Sequence, residues 1–239
     1  MTCNCLKKST SNYLYLAKWV ITMINCPNCG EITRDNVKIY DESLRKQNIG
    51  ISPILPTCKL CGSEVVVSHI CNGGNIIVLN GTCGSGKTTI AELLVDKGWL
   101  AIDGDCAIQS LRYKKRTKQY EWSELVNEIV CEIDILSLFS KNIVLSHVVL
   151  PEDFKKFIEL FESRNIKYKL ILLKPEYQTA VERCRIRTSH TSITPEKWIK
   201  HFYNILVFDD AQFDIVDNSD MTAQDTAETI LNLCKDLKV

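Results

Sequence analysis

The sequence predicts an α/β fold in which a parallel sheet carries helices on both faces, preceded by a small cysteine-paired module. Three observations predict it. Beyond residue 72, continuous apolar runs alternate with longer helix-like segments. A glycine-rich loop joins the first of those runs to the first helical segment. Ahead of residue 72, short apolar stretches are broken by glycine, proline and two spaced cysteine pairs.

Each element follows from its local pattern. Residues 75–79 (NIIVL), 100–102, 142–150 (NIVLSHVVL) and 168–173 (YKLILL) read as strands, and residues 213–216 (FDIV) as a shorter fifth. These runs are continuous rather than alternating, as in strands covered on both faces. Helical patterns occupy residues 87–97, 123–140, 152–165, 176–187, 195–206 and 222–237. Pro151 and Pro195 suit first-turn positions, where a missing N–H costs nothing. Strands that alternate with helices build a parallel sheet. The linker SHICNGGN, residues 68–75, contains the Gly73-Gly74 pair and divides the chain.

Composition bounds the function. The 239 residues allow one medium domain with an appendage, and 45% apolar content supports a real core. Lys and Arg number 29 and Asp and Glu number 29, so no overall charge grips nucleic acid or an anionic membrane. Residues 1–71 carry 8 basic and 5 acidic side chains, a weak bias. The apolar run at residues 13–24 contains Lys18 and is far shorter than the ~20 residues a membrane span needs. Three readings of it stand: an amphipathic helix, a secretory signal, or an upstream extension of a protein that starts at Met23. No membrane association and a cytoplasmic location are the expectation.

The 12 cysteines are not scattered evenly. Cys26-Pro-Asn-Cys29-Gly30 and Cys58-Lys-Leu-Cys61-Gly62 form two CxxCG knuckles. Each turn sets two thiolates on one side of a tight loop, and the following glycine permits the backbone that aims amides at sulfur. Two knuckles supply four soft ligands in a tetrahedron, which suits a closed, structural zinc site. The pattern resembles a zinc ribbon over residues 23–71. Chance spacing and disulfides are the competing readings. Cys3 and Cys5 lie at the N-terminal end, and Cys71, Cys106, Cys131, Cys184 and Cys234 read as buried small hydrophobes.

Residues 81–88, GTCGSGKT, fit G-x-x-x-x-G-K-[ST] between a strand and a helix. Gly81, Thr82, Cys83, Gly84, Ser85 and Gly86 form a loop whose amides wrap phosphate. Lys87 is expected to reach the β- and γ-phosphates and Thr88 to ligate Mg2+, with Thr89 completing the nucleotide-binding set. The second strand ends in AIDGD, so Asp103 and Asp105 stand at a carboxyl strand end, where ligands gather in such sheets. One carboxylate acts on an acceptor hydroxyl and the other on Mg2+; which is which stays open. Arg183 and Arg187 share a helix face while Arg185 points elsewhere. That pair is placed to clamp phosphate.

Residues 75–235 resemble the shikimate, gluconate, adenylylsulfate and chloramphenicol kinases. LNGTCGSGKTTIAELL corresponds to their loop and first helix, AIDGD to the acceptor-site strand end, VERCRIRTSHTSITPEKWIKHFY to the lid and VDNSDMTAQDTAETI to the nucleotide-base loop and last helix. The resemblance implies the three-layer P-loop NTPase sandwich with a five-stranded parallel sheet. It also implies ATP with Mg2+, phosphoryl transfer to a hydroxyl, lid roles for Arg183 and Arg187, and Asn218 and Ser219 near the adenine. The expected division is an extension at 1–22, a zinc ribbon at 23–71 and a P-loop kinase-like domain at 72–239.

Other residues are acceptor candidates. Ser146 and His147 lie within NIVLSHVVL, where strand alternation turns one of the two inward. The basic run from Arg112 to Lys118, flanked by Tyr113, Tyr120 and Trp122, suits an anionic acceptor, a nucleic acid or a solvated helix face. A kinase of small hydroxylated molecules is the leading reading. A nucleic-acid 5′-hydroxyl kinase and a nucleotide-dependent switch that binds a protein through its ribbon are the alternatives.

Overall fold

The computed structural model describes residues 22–40, 54–115, 119–187, 194–208 and 212–237. The extension at 1–22, apart from its last residue, lies outside them, as do residues 116–118 of the basic run and 188–193 of the lid segment. No described helix is long and apolar enough to cross a membrane.

Among the described residues, the cysteine-rich part holds five short strands: β1 (Met23–Cys26), β2 (Gly30–Glu31), β3 (Val37–Tyr40), β4 (Ile54–Cys58) and β5 (Val66–Ser68). They make an antiparallel sheet ordered β2-β1-β5 and an antiparallel pair β3-β4. Ile24, Cys26, Val37, Cys58 and Val65 form its small core. That core leans on Leu138 and Phe139, just beyond the third helix of the larger part. Arg34 donates to the Leu138 carbonyl at 3.1 Å, satisfying an acceptor at that helix end. Ile54 and Ile39 pack into the larger core instead, so the two parts share buried surface.

The remaining elements are β6 (Asn75–Gly81), α1 (Lys87–Val95), β7 (Leu100–Asp103), α2 (Gly104–Lys115), α3 (Trp122–Ser137), β8 (Asn142–Ser146), α4 (Pro151–Ser163), β9 (Lys167–Leu173), α5 (Tyr177–Ile186), α6 (Glu196–Ile205), β10 (Asp214–Val216) and α7 (Ala223–Leu233). The five strands β6 to β10 pair in parallel in the order β10-β9-β6-β8-β7. This is the expected three-layer α/β architecture. The first strand is central, and the chain order reverses beside it, which opens a crevice above its carboxyl end.

Alternation along the strands loads both faces with apolar side chains. Ile77, Leu79, Val144, Ile171 and Leu173 face α1 and α7 through Ile90, Leu94, Ala227 and Ile230. Ile76, Val78, Leu145, Leu170 and Leu172 face α3 and α4 through Leu125, Ile129, Ile133, Phe157 and Phe161. Every residue of β6 is buried. A run without polar alternation is what two covered faces require.

Two sequence expectations need correction. The run at 142–150 is strand only to Ser146; beyond it the Asn80 side chain clasps the backbone of Val149, donating to its carbonyl at 2.9 Å and accepting from its N–H at 3.1 Å. Pro151 then stands in the first turn of α4, so the ladder has no continuation. The second is α2, a helix absent from the sequence reading, which begins directly after Asp103. Its core residues Ala107 and Leu111 are few, and polar residues blur the helical period.

Candidate active site

The carboxyl ends of β6, β7 and β8 open into a cavity of about 550 Å³. Cys83, Gly84, Gly86, Lys87, Thr88 and Thr89 line it from the loop and first turn of α1. Gly81, Thr82 and Ser85 lie behind this wall. The Thr82 hydroxyl donates to the Ile199 carbonyl of α6 at 3.0 Å. Gly84 packs under α5, where a β-carbon would lie 2.2 Å from the Ala180 carbonyl oxygen. The loop therefore rests on α5 and α6.

Lys87 is half-buried and folds back onto its own loop. Its ammonium donates to the carbonyls of Gly81 at 2.8 Å and Thr82 at 2.9 Å. Burial holds its pKa below the usual lysine value, partly opposed by neighbouring thiol and carboxyl groups. A cation so placed is available to phosphate oxygens at the loop.

Asp103 and Asp105 separate in role as well as position. Asp103 is 6% exposed. Its Oδ2 accepts from the Thr88 hydroxyl at 2.8 Å and from Ser146 at 3.3 Å, while Oδ1 accepts from the Asp105 N–H at 2.9 Å. Burial, then the nearby Asp105 charge, pushes its pKa up. Asp105 is exposed and lines the cavity from the first turn of α2. Thr88 and Asp103 thus offer paired oxygen donors beside the loop, a donor set of the hard kind that Mg2+ takes.

Ser146 and His147 both line the cavity. The expectation that only one turns inward fails because β8 ends at Ser146 and alternation stops there. His147 is buried and stacks on Trp122, with ring centroids 5.5 Å apart and planes at 24°. Burial, with Lys87 nearby, lowers its pKa to about 3, so the ring is neutral at physiological pH. Trp122 opens α3, and Lys115 at the end of α2 fastens that turn by a 2.7 Å ion pair to Glu124.

Arg183 and Arg187 both line the cavity, and Arg185 turns away toward Glu182 and Glu196. Arg183 donates to the carbonyls of Asn218 at 2.7 Å and Ser219 at 3.3 Å, and Arg187 donates to the Thr194 hydroxyl. Asn218 lines the cavity and donates to the Ser85 carbonyl at 3.1 Å, which ties the β10–α7 loop to the phosphate loop. Ser219 does not line it. Its hydroxyl accepts from the Glu176 N–H at 2.7 Å and donates to Asp217 at 2.5 Å, so the side chain braces the loop instead.

Arg112 also departs from expectation. It is exposed, and its guanidinium lies 5.5 Å from the centroid of the Tyr120 ring. Tyr120 lines the cavity, so Arg112 stands behind the wall. Residues missed as lining groups are Ile90, Ile108, Val148, Phe202, Met221, Ala223 and Thr226, whereas Gly104, between the two carboxylates, is where close approach of a ligand to backbone is expected. The sequence carries no signal for the missed residues, because each belongs to an ordinary apolar or polar position of its own helix or loop.

The second site is the cysteine cluster. The sulfurs of Cys26, Cys29, Cys58 and Cys61 lie within 4.8 Å of one another. Cys26 and Cys61 are 3.4 Å apart and Cys58 and Cys29 are 3.9 Å apart. A tetrahedral zinc site with Zn–S bonds of ~2.3 Å spaces its sulfurs by about 3.8 Å, so the set fits the ion. Gly30 and Gly62 adopt φ of 77° and 75°, the left-handed turn expected after each knuckle. Hydrogen bonds from the Ser63 side chain and backbone lower the Cys61 pKa to about 6. Sharing with Cys61 and Cys26 pushes Cys29 up to about 12. Cys71, Cys106, Cys184 and Cys234 are buried, whereas Cys131 is only half-buried.

Residues 74–141 match the sequence model of the family described as chloramphenicol phosphotransferase-like protein. No curated protein matches the chain. Among solved structures, the fold is similar to that of a tunicamycin resistance protein from Deinococcus radiodurans, at a TM-score of 0.52 and 19% identity over 67% of this chain and 95% of that one. A gluconokinase from Sinorhizobium meliloti gives 0.51 at 18% identity, over 70% of this chain and 97% of that one. A sugar kinase from Janibacter gives 0.50 at 15% identity, over 70% and 99%. With its central first strand and the glycine-rich loop above it, the part of the chain beyond the cysteine module has the α/β fold of the P-loop kinases.

Proposed function

We propose that this protein is an ATP- and Mg2+-dependent kinase that transfers the γ-phosphoryl group to a hydroxyl of a small molecule. The observation that carries this reading is the alignment of Lys87, Thr88, Asp103 and Asp105 on one wall of a single cavity. Support also comes from the partial family match, which spans the loop and both carboxylates.

The loop amides and the N-terminus of α1 bind the phosphates, and Lys87 moves its ammonium from the Gly81 and Thr82 carbonyls onto β- and γ-phosphate oxygens. Thr88 and Asp103 would hold Mg2+, which when bound neutralises charge on those oxygens. Asp103 is already committed to Thr88, Ser146 and the Asp105 N–H, so it is the metal-side carboxylate. Asp105 reaches the open cavity and is the group that orients the acceptor hydroxyl and takes its proton. Arg183 and Arg187 border the transfer region and stabilise the charge that spreads over the moving phosphoryl group. The four knuckle cysteines would hold a structural zinc, which when bound would tie together the two loops beside the small core of the ribbon.

ATP binding and acceptor-stimulated ATP turnover by the full chain test the reading. Lys87→Ala is expected to lose both. Full turnover in that variant would overturn the assignment.

A further inference from the structure

Two helices that wall the cavity away from the phosphate loop rest on the cysteine module. α2 lends Asp105 and Ile108 to the cavity, three residues apart on one helix face. Its Ala107 and Leu111 lie instead in the core that also takes Ile54 of β4 and Ile39 of β3. β4 packs directly against α2. α3 carries Trp122 of the cavity wall at its start. Its 16 residues span about 24 Å, and just beyond its end Leu138 and Phe139 pack on the small core of the module.

β4 joins the cysteine cluster to that wall. Its buried residues alternate as Ile54, Pro56 and Cys58, so one face of the strand runs from the large core to a knuckle cysteine. Pairing with β3 sets Val37 opposite Cys58 and keeps the strand extended. Close-packed interiors have little free volume, so a shift at one end of such a strand is passed on rather than absorbed. The phosphate-binding elements are supported differently. α1 packs through Ile90, Ala91 and Leu94 with α7, on the other face of the sheet. Among the described residues, no member of the module enters that second core.

We propose that the β3–β4 pair is a positioning element for Asp105, so that the state of the four-cysteine cluster governs the acceptor side of the cavity and leaves nucleotide binding alone. The role of Asp105 rests on the kinase reading. Ile54 acts through α2 and is a positioning residue. With the cluster closed, β4 is anchored at Cys58 and holds α2 against β7, which keeps Asp105 at the cavity. With the cluster open, β4 loses that anchor and the first turn of α2 loosens. Lys87 and Thr88 stay in place, because α1 is held by its own core.

Hydrogen exchange of the full chain, read peptide by peptide, tests this together with MgATP affinity from calorimetry. Ile54→Ala leaves all four cysteines in place and removes the contact at the far end of β4. It is expected to speed exchange in α2 by about tenfold or more, with α1 exchange and MgATP affinity within about twofold of wild type. Ile54→Val is expected to restore most of the protection. Chelation of the metal and Cys58→Ser are expected to give the Ile54→Ala pattern below their melting temperatures; where either unfolds the whole chain, Ile54→Ala decides. ATP turnover at saturating ATP is expected to fall about tenfold or more in Ile54→Ala, through misplacement of Asp105. Equal acceleration of exchange in α1 and α2 would overturn the inference, since it marks a loss of global stability alone. So would α2 exchange that neither Ile54→Ala nor chelation moves, or turnover in Ile54→Ala equal to wild type. Absence of Lys87-dependent ATP binding in the wild-type chain overturns the kinase reading beneath, and the exchange pattern then still decides whether β4 sets α2.

Discussion

Gly104 lies directly beneath the imidazole of His147: a β-carbon at that position would sit 2.0 Å from Nδ1. Gly104 is there for space, not for an unusual backbone angle, since it occupies an ordinary helical turn at the start of α2. Gly104→Ala is therefore expected to destabilise the fold by about 1–3 kcal/mol through overpacking. Because His147 must move first, acceptor KM should rise more than ATP KM. Thermal unfolding and steady-state kinetics check the two halves separately.

The carboxylates should separate in a magnesium titration. Asp103→Asn weakens the oxygen pair with Thr88, so it is expected to raise the Mg2+ requirement and to cost a hundredfold or more, roughly the several kcal/mol a catalytic metal supplies. Asp105→Asn is expected to slow transfer by about 10²–10⁴ through loss of the base, without shifting the Mg2+ midpoint. Equal midpoint shifts in both variants would refute the division of roles.

Purified protein is expected to carry one zinc for the four cysteines of its cluster. Cys58 is buried in the small core that rests on Leu138 and Phe139. Chelation or Cys58→Ser should lower the melting temperature by more than about 5 °C, given that each kcal/mol is worth roughly 2–4 °C in a chain of this size. Metal analysis and calorimetry decide it; an unchanged melting temperature in both would count against a structural ion.

Acid stability follows from His147, whose folded pKa falls from 6.5 to about 3. The folded state refuses a proton that the unfolded chain accepts. Its contribution is fully present above pH 6.5 and is lost as pH falls from there toward 3. His147→Gln removes this proton linkage and should flatten the acid limb over that window. Urea midpoints measured from pH 7 to pH 4 provide the check.

The ion pair between Arg164 and Asp134, at 2.6 Å, secures the linker between the two parts, because Asp134 also accepts from the Cys71 N–H at 2.7 Å. Arg164→Met leaves a half-buried carboxylate short of its partner. It is expected to destabilise by about 1–3 kcal/mol, measured by denaturant unfolding.

Much of the architecture is legible in short windows of sequence. The strand at NIIVL, the loop that follows it and α1 are fixed by contiguous residues, so their pattern predicts their structure. The knuckles are equally local, each a turn of a few residues closed by a glycine. The helix α2 escapes because its period is diluted by polar residues, and NIVLSHVVL reads too long because Asn80, far away in the chain, captures Val149.

The sequence by itself determined a parallel α/β sheet, a phosphate loop at the end of its first strand, and four cysteines paired for a metal. Only the tertiary structure decided how the site residues are shared out. It set Asp103 on Thr88 and left Asp105 facing the cavity. It brought both Ser146 and His147 to the wall, and turned Arg112 behind Tyr120 and Ser219 toward Glu176. The reason is physical. Periodicity and turn chemistry act between neighbours in the chain, whereas these partners come from different strands and helices and meet only when the core closes.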